Sequence, residues 1–303
     1  MRPSSCPSRS PSARPRRALA WPSKSSCSST TNSRHSPRAA PGPRSGRGLD
    51  AATLHSLYAA PAVLHVVNVW DAVSARVISD LPQTRAIATA GHGIAASHGY
   101  ADGEKIPLEL MLTSIAEIVG QTAHPVSADL DGGFGDAGET TRRAIDIGVS
   151  GANIEDQLRP IGEAAAVMSA AVRAGEHLGV RFALNARTDA FTIGGGRELD
   201  AKITDAIERG RAYLDVGATA IFIPGVLDAE TTRRLVEGLG VGKISVIGLP
   251  GALSSAEYEE LGVARVSYGP MPQNVALTAL KRLAQSLYAD GVIPADTEKL
   301  NNL

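Results

Sequence analysis

Between about residue 60 and residue 290, short apolar runs alternate with longer amphipathic stretches, and the alternation repeats eight times. The strand-like runs fall at 63–70, 86–90, 126–131, 152–155, 182–187, 220–224, 243–249 and 265–268. Most are apolar at nearly every position, as parallel strands buried on both faces are. The helix-like stretches between them lie at about 71–81, 107–120, 137–148, 163–178, 197–216, 229–238, 254–260 and 272–290. Pro107 stands where a helix can start, and Gly148, Gly179 and Gly217 stand where helices stop. Strands and helices in alternation form a parallel sheet. Eight repeats over roughly 240 residues fit a closed (β/α)8 TIM barrel. The competing fold is an open doubly wound sheet, which usually carries G-x-G-x-x-G after its first strand. Here the first strand ends Asn68-Val-Trp70-Asp71, with no such loop.

A barrel of this kind places its active site at the carboxyl ends of its strands. In chain order those ends read Trp70 and Asp71, then Thr89-Ala90-Gly91-His92, then Asp129 and Asp131. They continue with Asn153, Glu155, Asp156 and Gln157, then Asn185, Arg187 and Asp189. The last three are Pro224-Gly225, Gly248-Leu-Pro250 and Tyr268-Gly-Pro270. Acidic groups and one arginine thus share one rim, as a metal ion and an anionic substrate would require. The sharpest segment is Val126-Ser-Ala-Asp129-Leu-Asp131-Gly-Gly-Phe-Gly135. Its two carboxylates stand two residues apart on a strand and face the same side. Like charges so close repel, and burial makes the repulsion worse. A hard divalent cation, Mg²⁺ or Mn²⁺, relieves it. The plain alternative is a solvated acidic loop.

The first 49 residues differ from the rest. They contain ten basic residues and no Asp or Glu, and are otherwise rich in Ser, Pro and Ala. Such a composition cannot bury a core, and 1–48 is expected to be a disordered extension preceding a single barrel domain over 52–303. It is Arg- and Ser-rich like a transit peptide but too Pro-rich for a good amphipathic helix. An extension that is not native, from a start codon read too early, is the expected origin. With the whole chain at −1, the remaining body carries about −11. An acidic body argues against nucleic-acid binding. No apolar run is long enough to cross a membrane. Cys6 and Cys27 both lie in the extension, so the folded part has no thiolate for a disulfide, a zinc site or a nucleophile. A cytoplasmic protein is expected.

Five segments carry a family resemblance: Asn68-Val-Trp-Asp-Ala-Val-Ser-Ala-Arg76, Ala128-Asp-Leu-Asp-Gly-Gly-Phe-Gly135, Asn153-Ile-Glu-Asp-Gln157, Ala186-Arg-Thr-Asp-Ala190 and Ala220-Ile-Phe-Ile-Pro-Gly225. In this order, each at an expected strand end, they resemble the isocitrate lyase / phosphoenolpyruvate mutase superfamily from about residue 60 to 290. The resemblance implies a Mg²⁺-binding (β/α)8 barrel. It also implies a homodimer or homotetramer with the C-terminal helix exchanged between subunits. The implied chemistry makes or breaks C–C or P–C bonds beside a 2-oxo or 2-hydroxy carboxylate. By position, Asp129 matches the carboxylate nearest the metal, and Asp131 and Glu155 match carboxylates that hold it largely through water. Asp102 matches a further acidic residue beside the site. Thr89, Ala90 and Gly91 match a loop whose N–H groups hold the substrate carboxylate, and Arg187 matches the arginine that pairs with it. Trp70 either lines the pocket or fills the barrel mouth.

One departure narrows the branch. Lyases of the superfamily carry a Lys-Lys/Arg-Cys-Gly-His run on a mobile gate after the fourth strand, and the mutases carry a lysine and an asparagine there. Here Glu155 is followed by Asp-Gln-Leu-Arg-Pro-Ile-Gly-Glu163, with no lysine, cysteine, histidine or asparagine. Arg159 could partly replace a gate cation. The short connection resembles the oxaloacetate decarboxylase branch, where losing CO₂ needs metal and enolate stabilisation without an elaborate acid. Phosphonomutase- or phosphonopyruvate hydrolase-like chemistry and methylisocitrate lyase-like cleavage stand as alternatives, and a non-catalytic carboxylate-binding barrel as one of another class. His92 and His98 could each serve as a general acid, but having no catalytic partner in sequence they read rather as packing or capping residues. His124 is expected at an exposed turn, and Asp71 to cap a helix. Asp156 and Asp189 are expected to orient their neighbours, and Gly194-Gly-Gly196 to be a flexible connection.

Overall fold

The computed structural model describes residues 47–193 and 195–301. The extension, apart from its last residues Arg47 and Gly48, lies outside them, as does Gly194. Eight strands close into one parallel barrel in sequence order: β1(Leu64–Val69), β2(Ile87–Thr89), β3(Val126–Asp129), β4(Gly151–Glu155), β5(Ala183–Arg187), β6(Ala220–Phe222), β7(Ile244–Ile247) and β8(Arg265–Ser267). Pairing of β1 with β8, through Leu64 and Arg265, completes the ring. Ten helices accompany them among the described residues: α1(Arg47–Tyr58), α2(Ala72–Ser79), α3(Gly91–Ser97), α4(Leu108–Gly120), α5(Ala137–Asp146), α6(Ile161–His177), α7(Leu199–Asp215), α8(Ala229–Leu239), α9(Ser255–Glu260) and α10(Met271–Ala289). The expected (β/α)8 barrel is present. None of these helices is long and apolar enough to cross a membrane.

Three helices differ from the sequence pattern. α1 begins at Arg47, ahead of the expected start of regular structure, and it floors the barrel. Its Leu54 and Tyr58 pack with Leu64, Val66, Ala88, Ala183 and Ala220. The helix begins inside the polar extension, and Ala51, Leu54 and Tyr58 are its buried face, which is too short a pattern to stand out. Above this floor the fully buried Arg265 donates to Tyr58 Oη at 2.5 Å and Ser127 Oγ at 2.9 Å. α3 follows β2 almost without a turn, where only a loop was expected. α10 is the third exception. The other long helices press an apolar stripe on the strands, but α10 buries Gln273 alone. Gln273 donates to Gly93 O and Ser97 Oγ on α3 and so fastens the helix at its start. Beyond that point Val275, Leu277 and Leu280 are more than half exposed.

Candidate active site

Register sets the level of each group around the barrel. Glu155 pairs with Arg187, and Arg187 with Phe222. Asp129 pairs with Asn153, and Ile247 with Ser267. Side chains two apart on a strand face the same way, so Asn153 and Glu155, Phe222 and Pro224, and Ile247 and Leu249 climb the same wall. They line a cavity of about 420 Å³ at the carboxyl ends of the strands, together with Asn68, His92, Asp102, Asp129, Asp131, Arg187, Thr192, Ser267 and Pro270. That volume lies in the range of small-molecule sites.

The turn after β3 builds the acidic side. Asp131 and Phe134 hold left-handed backbones, at φ +45° and +51°. Gly133 has φ +95°, and a Cβ there would stand 2.6 Å from that of Ala137. Only glycine permits so tight an entry into α5. The turn is tied to the connection between α3 and α4: Glu104 N–H donates to Asp131 Oδ2 at 3.3 Å, and Phe134 N–H donates to Glu104 Oε1 at 2.6 Å. This brings Asp102 to the mouth. Its carboxylate faces His92 Nδ1 at 3.3 Å, both side chains being at least half exposed.

Asp129 accepts from Gly91 N–H at 3.1 Å, and its own N–H donates to Thr89 Oγ1 at 2.9 Å. A Cβ on Gly91 would meet Asp129 Oδ2 at 3.0 Å, so the approach is close. Burial pushes Asp129 up from its ordinary value, against the pull of Arg187. Asp131 is pushed up to about 8 by burial and then by repulsion from Asp129, Glu155 and Asp102. Glu155 is pushed up to about 7, by burial first. Perturbed carboxylates gathered in a cleft mark a functional site.

Arg187 bridges Glu155 Oε2 at 2.9 Å and Asp189 Oδ1 at 2.7 Å. Its Nε also donates to Asp189 at 2.8 Å. Asp189 and Asp156 are fully buried. Asp156 accepts from Tyr213 Oη at 2.7 Å, Arg209 Nη1 at 3.2 Å, Asp189 N–H at 3.0 Å and Leu158 N–H at 2.9 Å. The two aspartates therefore form a buried layer that aims Arg187. The connection from β4 to α6 is short and fastened. Gln157 and Leu158 both have φ +51°, and Gln157 N–H donates to Asp189 Oδ2 at 3.2 Å. Gln157 Nε2 donates to Glu155 at 3.2 Å, and Arg159 Nη2 donates to Gln157 Oε1 at 2.6 Å.

Asp102, Asp129, Asp131, Glu155 and Arg187 thus share one cavity. Thr89, Ala90 and Gly91 sit behind Asp129, and Trp70 lines a separate groove with Val67, Val73, Ile78 and Pro272. His98 bonds Ser114 Oγ at 2.9 Å, and Asp71 caps α2. The sequence offers His92 no partner, and the fold supplies Asp102 as one. Phe222, Ile247, Leu249 and Glu104 were not singled out in sequence. Counting two residues along each strand from the rim would have found the first three.

The phosphoenolpyruvate phosphomutase family model matches residues 54–288. The chain belongs to this family, within the PEP mutase/isocitrate lyase superfamily. It is similar to 2,3-dimethylmalate lyase of Eubacterium barkeri, 31% identical over 260 residues, 79% of this chain and 86% of that one. An oxaloacetate decarboxylase of Rhodopseudomonas palustris is 29% identical over 253 residues, 80% of this chain and 85% of that one. Among solved structures, a candidate phosphonomutase from Burkholderia cenocepacia is 36% identical, covers 78% of this chain and 99% of its own, and superposes with a TM-score of 0.73. The superfamily is one of lyases and mutases, and the chain is accordingly assigned to an enzyme family.

Proposed function

We propose that this protein is a divalent-metal-dependent lyase that breaks a C–C bond beside a 2-oxo carboxylate, with decarboxylation of an oxaloacetate-type diacid as its reaction. The observation that carries this reading is the set of three raised carboxylates, Asp129, Asp131 and Glu155, packed against Arg187 in one cavity. Buried like charges fit a hard cation, and oxygen donors suit Mg²⁺ or Mn²⁺. Among the described residues no group of three His, Cys, Asp or Glu side chains is placed to hold a metal ion, so on this reading the ion would keep most of its water, as Mg²⁺ does. Asp129 would hold it most directly, with Asp131 and Glu155 beside it. When bound, the ion supplies positive charge against the enolate oxygen that develops as the bond breaks. Arg187, held in aim by Asp189, presents a planar pair of donors to the substrate carboxylate. His92, oriented at Nδ1 by Asp102, returns a proton to carbon from the mouth. The relatives named as an oxaloacetate decarboxylase and a 2,3-dimethylmalate lyase support the reaction class.

Pyruvate release from oxaloacetate tests the reading. Mg²⁺ alone decarboxylates oxaloacetate, so the reference is Arg187→Ala protein at equal metal. We expect activity that EDTA abolishes and Mg²⁺ or Mn²⁺ restores, with methylisocitrate cleaved far more slowly. Full activity without metal, or methylisocitrate split faster than oxaloacetate, would overturn it. The exposed apolar residues of α10 further support a homodimer or homotetramer in which this helix is covered by another copy.

A further inference from the structure

The cavity has two unlike halves. One holds the carboxylates and Arg187. The other, at the ends of β6, β7 and β8, is formed by Phe222, Pro224, Ile247, Leu249 and Pro270, with Ser267, whose hydroxyl donates to Val246 O at 3.4 Å. The basic side chains that line the cavity are Arg187 and His92. Arg187, pinned between Glu155 and Asp189, serves the substrate's head carboxylate, and His92 is engaged by Asp102, so neither is left for a second carboxylate. A charged group placed against the apolar half would lose water and gain no counter-charge, which is costly. An alkyl group there would be desolvated at a gain.

We propose that this half is a subsite for an uncharged, apolar substituent on the carbon next to the 2-oxo group, so that the preferred substrates are 3-alkyl 2-oxo diacids rather than tricarboxylates. The proposal rests on the lyase reading above. In the reaction the C3–C4 bond breaks and its electron pair enters the C2–C3 enolate. The C4 carboxylate departs as CO₂, and one proton adds at C3. The product is a longer 2-oxo acid, with no net oxidation or reduction. Register gives the specificity a physical origin. Phe222 stands beside Arg187 on the neighbouring strand, so a substrate whose carboxylate reaches Arg187 brings its next carbons against the Phe222 wall.

Two oxamates separate the subsite from turnover, because both carry the same 2-oxo carboxylate head and neither reacts. N-propyloxamate has an apolar tail, and N-oxalylglycine has a charged tail of similar length. Calorimetry on the full chain in Mg²⁺ should show N-propyloxamate binding at least about tenfold tighter. Leu249→Arg should erase or invert that ratio, and Ile247→Lys should do the same if the first variant does not fold. In the turnover panel, 3-ethyloxaloacetate should exceed oxalosuccinate in kcat/KM by a similar factor. Equal or tighter binding of N-oxalylglycine, or no binding of either, overturns the subsite. If the oxamate preference holds while no 2-oxo diacid is decarboxylated, the subsite stands and the lyase reading falls. If oxaloacetate turns over without a tail preference, the lyase reading stands and the subsite falls.

Discussion

Asp131→Asn in the metal-free protein gives a quantitative test of the carboxylate cluster. Asp131 moves from an ordinary 3.8 to about 8 on folding. Between those values the folded chain keeps a proton that the unfolded chain has released, so stability falls as pH rises through the window. Each pH unit corresponds to about 1.4 kcal/mol. From about pH 5.5 to pH 9 the part of the window crossed is about 2.5 units, or about 3 kcal/mol. Glu155, raised to about 7, adds a smaller loss of the same sign. An asparagine cannot ionise, tolerates the left-handed backbone at this position, and retains an oxygen for Glu104 N–H. Denaturant unfolding in EDTA at both pH values, compared at constant m, reads the effect. Wild type should lose about 3 kcal/mol more than Asp131→Asn across this range. Mg²⁺ at the higher pH should restore wild type, because binding to the folded state alone stabilises it. Equal losses in the two proteins would refute the idea that burial, with repulsion from its neighbours, holds Asp131 protonated in the folded chain.

Arg187→Lys keeps the charge but loses the two-pronged grip and leaves the buried Asp189 short of a partner; kcat/KM for oxaloacetate should fall by about 10²-fold, and an unchanged value would remove Arg187 from substrate binding. His92→Gln should lower kcat by about 10²-fold or more with little change in KM, and an unaffected kcat would assign the returning proton to water. Tyr213→Phe deletes a buried hydroxyl bonded to Asp156, so unfolding should become easier by about 1–3 kcal/mol while KM for metal stays within twofold or so; a neutral substitution would show that Arg209 and the N–H groups of Leu158 and Asp189 suffice for Asp156. Leu277→Glu with Leu280→Glu should reduce the sedimenting mass at equal concentration, and an unchanged mass would show that α10 is not covered by another copy.

The barrel was legible because its signal is repeated. Eight apolar runs at short spacing leave few topologies, and each run landed on a strand of the closed sheet. The acidic rim was legible because Asp129, Glu155 and Arg187 terminate strands, and strand ends are positions that sequence can count; Asp131, expected on the same strand as Asp129, instead lies in the left-handed turn just beyond it and reaches the rim from there. What escaped depends on distance in three dimensions. His92 and Asp102 meet across the turn after α3, Glu104 reaches the turn after β3, and α1 has a floor to cover only once the barrel has closed. None of these leaves a periodic trace. The apolar wall escaped for a different reason: Phe222, Ile247 and Leu249 look like any strand interior until the register shows that they face the cavity.

The fastened connection between β4 and α6 constrains how a barrel like this one could change its chemistry. Residues 157 and 158 accept their left-handed backbones because Asp156 and Asp189 hold their N–H groups, and the same Asp189 aims Arg187. Grafting a longer, moving segment into this position would release those bonds. The carboxylate grip would loosen as the new segment was gained. A chain evolving or being engineered from this state toward gated cleavage must therefore first find another anchor for Arg187, which makes the order of substitutions, and not only their identity, decisive.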